Sequence, residues 1–282
     1  MVFAPGDGAL YRVEDADRTT DLEIDSLGII HEGAQITLRD NSSIIVRNNA
    51  ELQIHGSLEI ADSSSLILDG GTVRFMNDTA RIIVRNNPTG ISGRGVFVNA
   101  HISLPDSVYI AYYDSLIFTG GGTLGCDSTS NTKMVLDGDM RFTGDSVEYV
   151  FSQCVRSVFV LSEFGSTETV RMKNIPVLTC SATGLLYAEG NANARCLWSF
   201  RTRGECNVYG TFTAQHTTFN GNEDSTALWA GILAAYENAV LEMAHCTLTD
   251  ILVTDTAYSC AAVHFYGATS GRNLIDSCTL HR

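Results

Sequence analysis

Lysine is nearly missing from this 282-residue chain: Lys133 and Lys173 are its only two, and arginine carries the rest of the positive charge. With 18 Lys and Arg against 32 Asp and Glu, the formal net charge is −14. That balance argues against a nucleic-acid backbone or an anionic membrane surface as principal partner. No run approaches the ~18 consecutive apolar residues of a membrane span, so a soluble chain without membrane insertion is expected. Proline is scarce, with 4 residues, and no Pro/Ser-rich linker interrupts the chain. One continuous domain over 1–282 is the simpler expectation. The 8 cysteines include no Cys-x-x-Cys pair, and the 7 histidines form no His-Glu-x-x-His motif. Zinc and thioredoxin-like redox chemistry are thereby disfavoured, and no metal site is expected. The opening Met1–Gly8 lacks the basic start and apolar core of a secretory signal. An export signal is therefore either not encoded in this chain or already removed.

What the chain does contain is a repeat. Ser42-Ser43-Ile44-Ile45-Val46-Arg47-Asn48-Asn49 returns nearly letter for letter as Ala80-Arg81-Ile82-Ile83-Val84-Arg85-Asn86-Asn87, with the related Ser64-Ser65-Leu66-Ile67-Leu68-Asp69-Gly70-Gly71 between them. Apolar residues come in pairs one position apart, among them Ile36/Leu38, Ile44/Val46, Leu52/Ile54, Leu58/Ile60, Leu66/Leu68, Val73/Phe75 and Ile82/Val84. Period two means strands, with each pair on one face. Every pair is followed by Asp, Asn, Gly or Ser, residues that tolerate the left-handed backbone of a corner. About three such strands fit in each repeat of roughly 22 residues, as expected of a stacked-coil solenoid. A row of antiparallel hairpins would repeat every two strands instead. The expected fold is therefore all-β, a right-handed parallel β-helix (β-solenoid) with about three short strands per coil. In this reading the third copy, Ala80–Asn87, restates the first and second, and Val46, Leu68 and Val84 face one interior.

The expected organisation is an N-terminal cap over 1–30, regular coils over 31–175, looser coils with longer loops over 176–206, and a second set of coils over 207–282. Ser181–Gly184 and Glu189–Asn193 read as the longer loops. The second set repeats His216-Thr217-Thr218-Phe219, His245-Cys246-Thr247-Leu248 and Ser277-Cys278-Thr279-Leu280. Thr217, Cys246 and Cys278 should stack, as should Phe219, Leu248 and Leu280, one layer every ~4.8 Å. Stacked inward thiols are favoured over a Cys246–Cys278 disulfide, because aligned side chains on parallel strands point the same way. His216 and His245 should stack at a corner. The last residues read as the middle of a repeat, so the natural protein is expected to continue past Arg282.

The Leu-x-Ile, Asp-x-Ser-x-Leu-x-Ile and Gly-Gly corners of the front section resemble the opening coils of secreted right-handed parallel β-helix proteins of the pectin-lyase-like superfamily. Val208–Ala214, Phe219, Trp229–Ile232 and Leu241–Leu248 resemble large surface proteins of Bacteroidetes-like bacteria. The resemblance implies an extracellular or cell-surface location. For the enzymes of that superfamily it implies carboxylates on one sheet, alone or with calcium and an arginine base. Asp137 and Asp139, around Gly138, are the nearest thing to a paired carboxylate, as hydrolysis of a glycosidic bond would need. The simpler reading is that both decorate a turn. The Asn-Thr-Asp, Asp-Asp, Gly-His-Gly and Arg-Ile-Lys signatures of the pectin hydrolases are absent. Tyr109, Tyr112 and Tyr113, beside Asp106 and Asp114, form the densest aromatic and acidic group, suited to sugar rings and equally to packing across coils. Calcium at acidic turns is compatible with oxygen ligands, but no complete calcium-loop motif is present, so no cofactor is expected.

Two functional expectations follow. The first is a non-catalytic extracellular β-solenoid, a structural, adhesive or assembly-forming surface segment that associates end to end or with a neighbouring surface protein. The second is a carbohydrate-active enzyme, a polysaccharide lyase or glycoside hydrolase, with a glycan lying along one face.

Overall fold

The computed structural model describes residues 2–3, 10–13, 21–85, 90–104, 109–126, 133–152, 158–221, 233–249, 263–266 and 273–281. These residues are all strand, turn or bend, with no helix, so none of the described residues forms a helix able to cross a membrane. The chain divides into two compact units, Met1–Met140 with Ser152–Cys154, and Arg141–Phe151 with Val155–Arg282. Each is a parallel β-solenoid.

In the first unit three ladders of strands climb together. Asp21–Ile24 pairs with Ser43–Arg47, and that strand with the first arm of Ser65–Phe75. Leu27–Ile30 pairs with Glu51–Ile54 and then with the second arm of Ser65–Phe75. Gln35–Leu38 pairs with Ser57–Ala61 and then with Arg81–Arg85. Every one of these pairings is parallel, so each coil lays three strands over the three beneath.

The alternating pattern sets the register. Ile44 sits over Leu22 and under Leu66, and Val46 over Ile24 and under Leu68. Ile36, Leu58 and Ile82 form another column, as do Leu38, Ile60 and Val84. All but Leu22 of these are buried, as are Ile30, Ile54 and Phe75 of the remaining ladder. Each such side chain removed from water contributes about 1.5–3 kcal/mol, and the stack of columns is the core.

The near-identical peptides 42–49 and 80–87 do not occupy the same face. Ser43–Arg47 stacks on Ser65–Leu68, whereas Arg81–Arg85 stacks on Ser57–Ala61, one ladder away. Val84 nevertheless lines the same interior. An inward aliphatic pair followed by a polar corner satisfies any of the three walls equally, so sequence identity does not report which wall a strand joins.

Corners follow the expected chemistry. Asp40, Asn41, Asn49 and Asp62 take positive φ of 56°, 65°, 64° and 56°, a region that Asn and Asp tolerate best among residues with a side chain. Inside the corner the Ser42 hydroxyl donates to the Arg39 carbonyl at 2.7 Å and lies 3.4 Å from the Ser64 hydroxyl one coil away. The buried Ser42 hydroxyl is thereby satisfied at this corner.

In the second unit the three ladders run through Glu148–Ser152 and Val158–Thr167 into Arg171–Glu189, Cys196–Val208, Thr211–Gln215 and Thr217–Asn220. They continue to Leu233–Ala235, Val240–Ala244 and Thr247–Thr249, and then to Val263–Phe265, Asn273–Asp276 and Thr279–Leu280. Residues 181–184, read from sequence as a loop, lie within the strand Arg171–Glu189. Cys180 pairs with Leu161 and Leu185 with Glu163, so a corner holding only residue 162 in one coil holds four residues in the next. Gly190–Asn193 does leave the ladder, closing on itself through an antiparallel bridge between Asn191 and Ala194.

The second unit fills its interior with rings. Phe142 packs against Phe164 at 5.2 Å, Phe164 against Trp198 at 6.1 Å, and Trp198 against Phe219 at 5.9 Å and Phe212 at 6.3 Å. The Trp198 indole N–H donates to the buried Ser166 hydroxyl at 2.7 Å. The stacking expected of Phe219, Leu248 and Leu280 is present, with Trp198 beneath them.

Candidate functional site

Outward side chains of the first unit are engaged from coil to coil. Arg47 donates to Glu23 of the coil below at 2.8 Å and to Asp69 of the coil above at 3.0 Å. Its hydrogen bonds to those two carboxylates push the guanidinium further above its ordinary value. Arg74 grips Glu51 through Nε at 3.2 Å and Nη2 at 3.1 Å, holding that carboxyl below the usual range. Arg85 meets Glu59 at 3.3 Å. Single exposed pairs contribute at most about 1 kcal/mol, but these lie in columns that share partners.

The residues singled out from sequence fall in this same unit. Tyr109, Tyr112, Tyr113 and Asp114 lie in the strand Tyr109–Cys126, where Tyr113 pairs with Gly93 through the backbone. Their side chains lie outside those described, as does that of Asp137, and Asp106 lies outside the described residues altogether. Asp137 and Asp139 sit inside the strand Lys133–Phe142. The Asp139 carboxylate accepts the Ser115 hydroxyl at 3.1 Å.

The second unit presents two outer features that sequence reasoning did not single out. Tyr209, Tyr236 and Tyr266 stack face to face, with centroids 4.3 Å and 4.9 Å apart and ring planes within 9° and 10° of parallel. Each follows the last residue of a ladder strand, after Val208, Ala235 and Phe265, which is the signal that could have revealed them. Because the faces are covered by one another, the stack presents edges and hydroxyls outward. The Tyr236 hydroxyl donates to the Asn207 amide oxygen at 3.1 Å, and Asn207 donates to Glu205 at 3.0 Å. Burial pushes the Glu205 carboxyl above its ordinary value, and burial together with Tyr209 and Glu205 pushes Tyr236 up to about 12. The phenol is thereby held un-ionised through neutral pH.

The second feature is an open groove of about 280 Å³ on the outer face of the strands 185–189, 211–215, 240–244 and 273–276. Glu189, Thr213, Gln215, Glu242 and Leu274 line it, with Ala244 as its floor between longer neighbours. Two carboxylates, a hydroxyl and an amide give it the means to accept and donate hydrogen bonds to a polyhydroxylated or amine-bearing group.

Cys246 and Cys278 are not joined by a disulfide, in line with the expected thiols. Cys180, Cys196, Cys206, Cys246 and Cys278 are free thiols, and all but Cys278 are buried. Burial pushes Cys180, Cys196 and Cys246 up to about 11 and Cys206 well above its ordinary value, which keeps them protonated at neutral pH and lets them pack as small apolar fillers. His216 and His245 stack at 4.9 Å. Among the described residues no group of three or more His, Cys, Asp and Glu could hold a metal ion. Comparison with protein families, with characterised proteins and with solved structures returns no match, so the β-solenoid assignment rests on this chain's own ladders.

Proposed function

We propose that the chain is a structural segment of an extracellular or cell-surface protein, a β-solenoid scaffold that serves adhesion or assembly. The observation that carries this reading is how the outward side chains of each unit are used. In the first unit Glu23, Arg47 and Asp69 tie three successive coils, and in the second Tyr209, Tyr236 and Tyr266 do the same. Charged and aromatic groups that could converge on a reacting centre instead run in columns that reinforce the coil stack. The acidic composition suits a hydrated, exposed surface, and the resemblance of the coil pattern to secreted β-helix proteins points the same way. The partners are a neighbouring surface protein or another copy of this chain associating end to end.

A second reading, carbohydrate binding or cleavage, is favoured by the groove containing Glu189 and Glu242. One experiment separates the two. Intact producing cells are labelled with an antibody to the chain, and the purified protein is incubated with acidic and neutral glycans with and without calcium. Surface labelling without new reducing ends or unsaturated products is the expected result. Turnover that Glu189→Gln, Glu242→Gln or Asp139→Asn abolishes would replace the scaffold reading with the enzymatic one, and labelling seen only after lysis would remove the surface assignment.

A further inference from the structure

One corner of the second unit repeats with its side chains in a common role. Thr217 donates from Oγ1 to the Gln215 carbonyl at 3.0 Å, Cys246 from Sγ to the Ala244 carbonyl at 3.3 Å, and Cys278 from Sγ to the Asp276 carbonyl at 3.3 Å. Each residue thus bonds back two positions, so the three side chains point the same way from successive coils. The backbone fixes the alignment: Thr279 N–H donates to the Cys246 carbonyl at 2.9 Å, and Thr247 pairs with Thr279 and Leu248 with Leu280. Cys196 lies at the foot of the column, paired with Thr217. The threonine separates Cys196 from Cys246, so Cys246 and Cys278 are the neighbouring thiols of this column. Neighbouring parallel strands stand ~4.8 Å apart, inside the Cα separation a disulfide accepts.

We infer that Cys246 and Cys278 form an oxidisable latch, a thiol pair that a small disulfide oxidant converts to a cross-rung disulfide. The half-buried Cys278, as its thiolate, attacks one sulfur of glutathione disulfide and releases one glutathione thiolate. Cys246, as its thiolate, then attacks the Cys278 sulfur and releases the second. Two protein thiols lose two electrons and two protons, and one glutathione disulfide becomes two glutathione thiols. The product closes the chain between the two cysteines and pins one rung to the next. Cys180, Cys196 and Cys206 are buried away from the oxidant and stay reduced.

The test uses the whole folded chain, incubated with excess glutathione disulfide, blocked with an alkylating agent and digested with trypsin. Arg203, Arg272 and Arg282 bound two peptides, 204–272 carrying Cys206, Cys246 and Cys260, and 273–282 carrying Cys278. The expected product is the 273–282 peptide joined to 204–272 within one chain, with fragmentation placing the bond at Cys246. Oxidation should also slow amide exchange at Thr279 and His281 on the order of tenfold. In Cys246→Ser, Cys278 should stop at the mixed disulfide with glutathione. A wild-type Cys278 left free or capped by glutathione, a bond placed at Cys206 or Cys260, or a join between two chains would each overturn the inference. Fragmentation of the wild-type product decides the matter even where the variant folds poorly.

Discussion

Replacing Trp198 with alanine should come close to unfolding the second unit. Trp198 is fully buried, touches Phe164, Phe212 and Phe219, and donates its N–H to Ser166, itself fully buried. Truncating a buried aromatic to alanine costs about 3–5 kcal/mol in lost transfer energy and cavity formation. The Ser166 hydroxyl, stranded without its donor, adds about 1–3 kcal/mol. Set against the ~5–15 kcal/mol that holds a typical domain together, a loss of about 5 kcal/mol consumes most of the margin. Trp198→Phe separates the two contributions, since it keeps much of the ring and removes only the hydrogen bond. It should lose about 2 kcal/mol, part of which Trp198→Phe/Ser166→Ala recovers by removing the stranded hydroxyl. Urea denaturation followed by far-UV circular dichroism measures all four proteins without relying on indole fluorescence. The reasoning is refuted if Trp198→Ala shifts the transition by less than about 1 kcal/mol, or if the double variant is no more stable than Trp198→Phe.

Alkaline pH should weaken the second unit. The buried thiols of Cys180, Cys196 and Cys246 are pushed from 9.0 to about 11, so between those values the folded chain holds protons that the unfolded chain has released. Stability is therefore full below about pH 9 and falls as pH rises toward 11, by about 1 kcal/mol per thiol at pH 10 after allowance for partial exposure. Denaturant midpoints at pH 8 and pH 10 measure it, and equal midpoints would contradict the burial of the thiols. Gly122→Ala should cost more than about 2 kcal/mol, because Gly122 has a φ of 146° and an added Cβ would press into the Ala100 carbonyl. Gly33→Ala, at a φ of 76° with open space around it, should cost only about 1–2 kcal/mol. Thermal melts of the two variants that coincide would show that the corner at Gly122 relaxes freely.

The fold was legible because both of its determinants are local. Ile44/Val46 and Leu66/Leu68 declare a period of two, and Asn48-Asn49 and Asp69-Gly70 declare where the strand must turn. Stacking of Phe219, Leu248 and Leu280 could be read from their common place after Thr-Thr or Cys-Thr. What could not be read is which wall of the coil a strand joins, since that depends on the count of intervening strands and not on the strand's own letters. The outer features were hidden for a related reason. Tyr209, Tyr236 and Tyr266 are separated by insertions of unequal length, and Glu189 meets Gln215, Ala244 and Glu242 only after the coils are stacked. Asp137/Asp139 and Tyr109/Tyr112/Tyr113 attracted notice because they are close in sequence, whereas in a solenoid the chemically relevant neighbour is one coil away.

The interchangeable octapeptides carry a genetic consequence. Unequal crossing-over between the segments that encode Ser42–Asn49 and Ala80–Asn87 would excise Ser43–Arg47, Glu51–Ile54, Ser57–Ala61 and both arms of Ser65–Phe75, which is five strands. Five is not a multiple of three, so the following strands of the first unit would each meet a different wall of the coils before the deletion, and Ile91 would inherit a wall built for another strand. The geometry penalises the product of that exchange. A spliced chain that kept the parental denaturation midpoint would show the walls to be more alike than their registers imply.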